Sequence, residues 1–165
     1  GLTYRVTGRP HPDGAIAFLF EDISAEISLT RRFRGEAEVT RSAMDALEDG
    51  VAIFNTAGFV QQSNRAMDQF LDLAAGETVE QMTVHEITRL WQKKCRPSPA
   101  WGEVRNFVSG ESERATWNAT LCHKDGQRFR LQVSPLVSGA TLVTLSLCAP
   151  SPEASGTKST STVAA

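Results

Sequence analysis

The first apolar positions of the chain follow strand spacing. Two apolar runs, 2–6 and 15–20, flank the turn dipeptide Asp13-Gly14, and this pattern predicts a β-hairpin. Because an isolated hairpin is only marginally stable in water, we expect it to pack against another part of a protein.

Residues 22–49 carry many charges, no proline and a single glycine, which favours one long helix. Asp22 and Ser24 are capping residues at its start, and Gly50 follows its expected end. A heptad frame predicts an apolar seam at Ile23, Phe33, Ala37, Met44 and Leu47, interrupted by Glu26, Thr30 and Thr40. Two interpretations stay open, an amphipathic helix lying on its own domain and one strand of a parallel two-stranded coiled coil.

Residues 50–148 show the pattern of an α+β domain. An apolar strand, a turn at Gly58 and a return strand come first, followed by helix starts at Asn64, at the capping box Thr83–Glu86 and at Ser98-Pro99. Three strands with alternating apolar positions complete the segment. We expect a five-stranded antiparallel sheet with short helices on one face.

Composition narrows the function classes. The 165 residues carry a net charge of −2, which argues against a broad nucleic-acid-binding surface. The sequence contains no signal peptide and no apolar run of the roughly 20 residues that a membrane span needs. Three widely spaced cysteines predict reduced thiols in a cytoplasm. The chain begins with Gly1, so we expect a fragment, and the Ser/Thr/Pro/Ala-rich segment 149–165 predicts a disordered tail.

Several motifs in 50–148 resemble a PAS domain. The segments Gly50-Val51-Ala52-Ile53-Phe54-Asn55 and Ser63-Asn64-Arg65-Ala66, with Gly58 between them, are similar to its opening strand, turn and first helix. The segment from Phe129 to Leu147 resembles its closing hairpin. The resemblance implies a non-catalytic sensor domain, with a possible ligand pocket lined by Phe54, Met67, Phe70, Trp117, Phe129 and Val133.

The N-terminal hairpin resembles the end of a second PAS domain. Tyr4–Thr7 and Gly14–Ile16 parallel Leu131–Ser134 and Gly139–Thr141. Asp22, Ile23 and Ser24 resemble the Asp-Ile-Thr junction through which PAS domains join a signalling helix. The resemblance implies four segments, namely a hairpin remnant of a preceding PAS-like domain (1–21), a signalling helix (22–49), a PAS-like domain (50–148) and the tail (149–165).

Candidate chemical motifs are incomplete. His85-Glu86-Ile87-Thr88-Arg89 resembles the phosphoacceptor box of histidine kinases without its proline, and the flanks of Cys95 lack the residues of flavin-binding PAS domains. His85 and His123 show no heme or metal-ligand spacing. We therefore expect no catalytic residue, metal or cofactor, and we interpret the basic-aromatic cluster as a solvated loop rather than a nucleic-acid contact; it comprises Trp91, Lys93, Lys94, Arg96 and Trp101.

The predicted function is sensing and signal relay by a homodimer within a multidomain regulator, with a bacterial sensor histidine kinase of a two-component system as the expected host. Two alternatives remain, part of a kinase or cyclase catalytic region and a ligand-free dimerisation module.

Overall fold

The computed structural model describes residues 1–74 and 76–149. These residues form two compact units, one of residues 1–46 and one that begins at Leu47. Most of the predicted tail, 150–165, lies outside the described residues.

The first unit is a hairpin followed by one helix. Strands β1 (Tyr4–Pro10) and β2 (Ile16–Asp22) pair antiparallel and place Val6 opposite Phe20 and Gly8 opposite Phe18. The predicted hairpin is therefore confirmed. Side chains alternate between the two faces of a strand, so Ile16, Phe18 and Phe20 share one face, and all three are exposed.

Helix α1 (Ser24–Asp45) is shorter at both ends than the predicted 22–49. Asp22 is still part of β2, opposite Tyr4, and the C-cap is Ala46. Gly50 does not follow the helix end as predicted, because it opens strand β3. The helix cannot reach Asp49, since the backbone there is committed to the second unit through hydrogen bonds with Asn64.

The second unit contains the predicted five-stranded antiparallel sheet, in the order β4-β3-β7-β6-β5. Its strands are β3 (Gly50–Phe54), β4 (Val60–Ser63), β5 (Trp117–Cys122), β6 (Arg128–Pro135) and β7 (Thr141–Leu147). Between β4 and β5 lie α2 (Arg65–Phe70), α3 (Val84–Lys94) and α4 (Ala100–Val108), and a 3-10 turn (Val137–Gly139) joins β6 to β7.

The predicted helix starts are present. The Thr83 hydroxyl accepts the Glu86 N–H at 3.2 Å, and the Glu86 carboxylate accepts the Thr83 N–H at 2.8 Å, which completes the capping box. These bonds from Thr83, backbone first, lower the pKa of Glu86. Helix α4 differs in detail, because Pro99 is its N-cap and not its first helical residue.

The core lies between the helices and one face of the sheet. Cross-strand register aligns Ala52, Val143 and Val133, and these residues are buried in the same cluster as Ile87, Trp91, Trp101 and Val104 of α3 and α4. Trp117 and Phe129 pack against this cluster, as expected. At Gly50 a Cβ atom would stand 3.3 Å from the Met67 Cα, so a glycine allows β3 to approach α2 closely.

No helix within 1–74 and 76–149 combines the length and hydropathy that a membrane span requires.

Asn64 is fully buried and joins β3 to α2. Its Oδ1 accepts the N–H groups of Val51 (2.8 Å) and Met67 (3.0 Å), and its Nδ2 donates to the Asp49 carbonyl (2.8 Å). The predicted N-cap is therefore confirmed, and the same side chain also fixes the start of β3.

Replacing Asn64 with alanine should destabilise the second unit by about 3 kcal/mol, because a helix cap is lost and buried backbone groups lose their partners. Urea unfolding followed by circular dichroism would measure the loss. Asn118→Ala, at an exposed position of β5, is the matched control and should change stability by less than about 0.5 kcal/mol. Equal effects of the two substitutions would contradict the assigned role of Asn64.

Candidate functional site

The junction between hairpin and helix is held by short hydrogen bonds. The Ile23 N–H donates to the Thr3 carbonyl at 2.9 Å, and the Thr3 N–H donates to the Ser24 hydroxyl at 2.7 Å. Asp22 accepts the Ser24 N–H at 2.9 Å. The structure thus brings the predicted junction residues together, and it adds Thr3 of the chain segment before β1 to them.

The junction also contains a charged side chain that the sequence interpretation missed. Arg5 places Nη1 3.3 Å from Glu21 Oε2 and Nη2 3.6 Å from Glu26 Oε2. Arg5 lies opposite Glu21 in the β1–β2 register, so the alternation of the hairpin sequence carries the signal that could have identified this pair. Through Arg5, one side chain contacts both strand β2 and the first turn of α1.

Hydrogen bonds from Ser24, first from its side chain and then from its backbone, hold the pKa of Asp22 below its usual value. Asp22 is therefore ionised at neutral pH and accepts the helix N-terminal N–H as a charged group. Ile23, which lies between Asp22 and Ser24 in the sequence, is partly buried. These hydrogen bonds at the junction fix the start of the helix relative to the two strands.

The predicted seam lies along α1 with one exception. Phe33 is 62% exposed, Ala37 is exposed, and Ile23 and Met44 are partly buried. Leu47 lies beyond the helix end and is assigned to the second unit, so its inclusion in a helical seam was wrong. Ile23 at the helix N-cap and Phe33, Ala37 and Met44 within α1 thus remain the predicted seam.

The two threonines that interrupt the seam have their hydroxyl groups hydrogen-bonded within α1. Thr30 Oγ1 donates to the Glu26 carbonyl at 2.9 Å, and Thr40 Oγ1 donates to the Glu36 carbonyl at 3.0 Å. Each hydroxyl is thus satisfied within the helix, one turn back. The two threonines can enter an apolar seam with their hydroxyl groups already hydrogen-bonded.

The six predicted pocket residues meet in the core of the second unit. Phe54, Met67 and Val133 are buried, and the other three pack against the same cluster while staying partly exposed; they are Phe70, Trp117 and Phe129. Whether a ligand enters between them stays a prediction.

Two tryptophans occupy this core, contrary to the solvated basic-aromatic cluster predicted from the sequence. Trp91 and Trp101 are both fully buried, with ring centroids 5.4 Å apart, and Phe54 meets Trp91 edge to face at 6.4 Å. The prediction failed because helix periodicity turns both rings inward while the neighbouring lysines stay at the surface. Neither indole can stack on a nucleic-acid base without unfolding of the core.

Lys94 and His123 each lie beside an acidic side chain. Lys94 forms an ion pair with Asp72, which lowers the pKa of that carboxyl. His123 Nδ1 lies 2.9 Å from Asp125 Oδ1, and its ring meets those of Phe70 and Phe129. His85 is exposed on α3. Within the described part of the chain, no cluster of three or more His, Cys, Asp or Glu side chains could hold a metal ion.

Comparisons with known proteins found similar proteins and similar solved structures. The chain is 25% identical over 145 residues to the sensor protein DivL of Caulobacter vibrioides, a match that covers 87% of this chain and 19% of DivL. No protein-family model matches the sequence. A chain of the Escherichia coli DhaR(N)–DhaL complex superposes with a TM-score of 0.50 and 14% identity, covering 78% of this chain and 40% of that one. The PAS domain of Bordetella pertussis BvgS gives a TM-score of 0.48 and 12% identity, with 72% and 89% covered.

The strand order β4-β3-β7-β6-β5, with the helices inserted between β4 and β5, gives the second unit the fold of a PAS domain, as the sequence resemblance implied. The chain spans about a fifth of the length of the curated relative that it matches.

The cysteines should differ in reactivity. Burial raises the pKa of the Cys95 thiol to about 11, and Cys95 is 1% exposed, whereas Cys122 and Cys148 are partly exposed. Because the thiolate is the reactive form, iodoacetamide at pH 8 should label Cys95 at least about tenfold more slowly than Cys148. Peptide mass spectrometry would measure the rates, with unfolded protein as the control in which the three rates converge. Fast labelling of Cys95 in folded protein would contradict its assigned environment.

Proposed function

We propose that this chain is a non-catalytic PAS sensor and signal-relay module of a multidomain regulatory protein, a bacterial sensor histidine kinase acting in the cytoplasm, and that it dimerises through α1. The observation that carries the proposal is the exposed heptad seam of α1, whose first turn is hydrogen-bonded to the hairpin. The similarity to a protein named as a sensor supports the host that we propose.

Helix α1 contains no buried residue. Its 22 residues span about 33 Å, and helices in proteins gain most of their stability from packing an apolar face. Phe33, Leu29 and Val39 are each more than half exposed. A second copy of the helix would supply the missing packing surface at Phe33.

Charge complementarity favours a parallel arrangement of two helices. With Ile23 at an a position, the heptad frame places Glu36 at a g position and Arg41 at the e position five residues later. A parallel dimer therefore pairs Glu36 of each copy with Arg41 of the other. An antiparallel dimer centred on the same seam would instead oppose Arg34 to Arg41. Glu36 already accepts a hydrogen bond from Arg32 of its own helix at 3.1 Å.

The hairpin face supports a preceding PAS-like domain. The hydrophobic side chains of Val6, Ile16, Phe18 and Phe20 share one face and are all more than half exposed. In the second unit, the corresponding hairpin β6–β7 buries Leu131, Val133, Val143 and Leu145 against helices. We infer that residues 1–21 complete the sheet of such a domain, whose helices would cover this face.

A ligand-free dimerisation module is the second candidate, and the buried tryptophan pair favours it. Trp91 and Trp101 fill space between the sheet and the helices where a small molecule would otherwise have to fit. Native mass spectrometry and an absorption spectrum of the purified protein separate the candidates, because a retained small molecule adds mass and a flavin or heme adds visible absorption.

Replacing Phe33 and Met44 together with aspartate should convert the dimer to a monomer and leave the second unit folded. Each apolar side chain contributes about 1.5–3 kcal/mol when fully buried, and the substitutions also place like charges in the seam. Light scattering would report the mass, and circular dichroism would report the fold.

Val39→Asp is the matched control, since Val39 lies on α1 outside the seam and is 70% exposed. It should leave the mass unchanged. A dimer that persists in the double variant would place the interface elsewhere, and loss of the fold would show that α1 packs on its own domain.

Incubation with labelled ATP tests the non-catalytic part of the proposal. We expect no incorporation of phosphate, because the candidate phosphoacceptor segment around His85 is an ordinary capped helix start on the PAS domain. Autophosphorylation of the purified chain, absent from a His85→Ala control, would overturn the assignment.

A further inference from the structure

Glu26 is the charged residue that interrupts the α1 seam. It occupies the first d position in the heptad frame, where the corresponding residues of two parallel helices face each other. Two carboxylates that meet at this position repel each other, and the repulsion grows as the seam closes and excludes water. A dimer through α1 therefore needs a way to neutralise Glu26.

The hairpin supplies a cation at this position. Arg5 Nη2 stands 3.6 Å from Glu26 Oε2, while Nη1 of the same guanidinium stands 3.3 Å from Glu21 of β2. Thr3, just before β1, accepts a hydrogen bond from Ile23 and donates one to Ser24, and these bonds hold the start of the hairpin against the base of the helix. The distance between Arg5 and Glu26 is thus set by the position of strand β1.

We propose that the Arg5–Glu26 pair gates the dimer seam, so that the hairpin controls helix association by neutralising or exposing the Glu26 charge. The proposal rests on dimerisation through α1. With Arg5 in place, the Glu26 carboxylate is paired and drawn toward the hairpin. If strand β1 moves away from the helix base, the two Glu26 side chains of the dimer face each other without their counterions.

The Arg5–Glu26 ion pair is weak enough to break and re-form. The side chains of Arg5 and Glu26 are 51% and 64% exposed, and exposed ion pairs are weak and screened by salt. A displacement of β1 by a few ångströms would separate the charges. Arg5 would keep its nearer partner, Glu21, which lies on the same hairpin.

A double-mutant cycle on the dissociation constant of the dimer tests the gate, with Arg5→Gln, Glu26→Gln and the double variant measured by analytical ultracentrifugation at low salt. Arg5→Gln should weaken the dimer about tenfold, equivalent to 1.4 kcal/mol. Arg5→Gln should have no further effect when Glu26 is already replaced by glutamine, because the charge that Arg5 neutralises is gone. Arg9→Gln, at an exposed arginine on the same face of β1, is the matched control and should leave the dissociation constant unchanged.

The outcomes separate this inference from the proposed function. A dimer that Arg5→Gln leaves unchanged, or that it weakens equally in the wild-type and the Glu26→Gln backgrounds, would overturn the gate and retain the dimer. A monomeric wild-type chain would overturn both. An effect of Arg5→Gln that disappears in 1 M salt supports the gate, and one that persists there contradicts it.

Discussion

The buried amide of Asn64 is the interaction on which the fold of the second unit depends. One side chain accepts from Val51 and Met67 and donates to Asp49, so it fixes strand β3 and helix α2 together. Strand β3 has β4 on one side and β7 on the other, and the inner residues of these strands face the core. A displacement of β3 would therefore also displace β4, β7 and the helices packed on them.

The same amide also limits where helix α1 can end. Asp49 must present its carbonyl to Asn64 and Gly50 must pair with Leu145, and neither is compatible with a helix that continues to Asp49. Hydrogen bonding inside the second unit thus sets the position along the chain at which this unit begins. They also differ in how their apolar residues are used, because the second unit buries most of its large apolar side chains, whereas the hairpin leaves its own exposed and α1 buries none.

Much of the fold could be predicted because the deciding signals were local. The capping bonds between Asn64 and Met67 and between Thr83 and Glu86 join residues three positions apart. The strands near the C-terminus show their alternation directly. Trp91 and Trp101 were misplaced, because Lys93, Lys94 and Arg96 lie between them in the sequence. In the structure the two rings contact each other, and Trp91 also contacts Phe54. Arg5 was missed since its partners are 16 and 21 residues away, and only the register of the hairpin brings them together.

The distribution of aromatic residues gives the two units separate optical signatures. All three tryptophans lie in the second unit, and two of them are in contact inside its core, while the first unit contains Tyr4 and no tryptophan. Intrinsic fluorescence excited in the indole band therefore reports on the packing of α3 against α4 and on the surroundings of Trp117 in β5. The first unit contributes no indole emission of its own. A change in this fluorescence would thus show that a signal alters the core of the second unit as well as the helix.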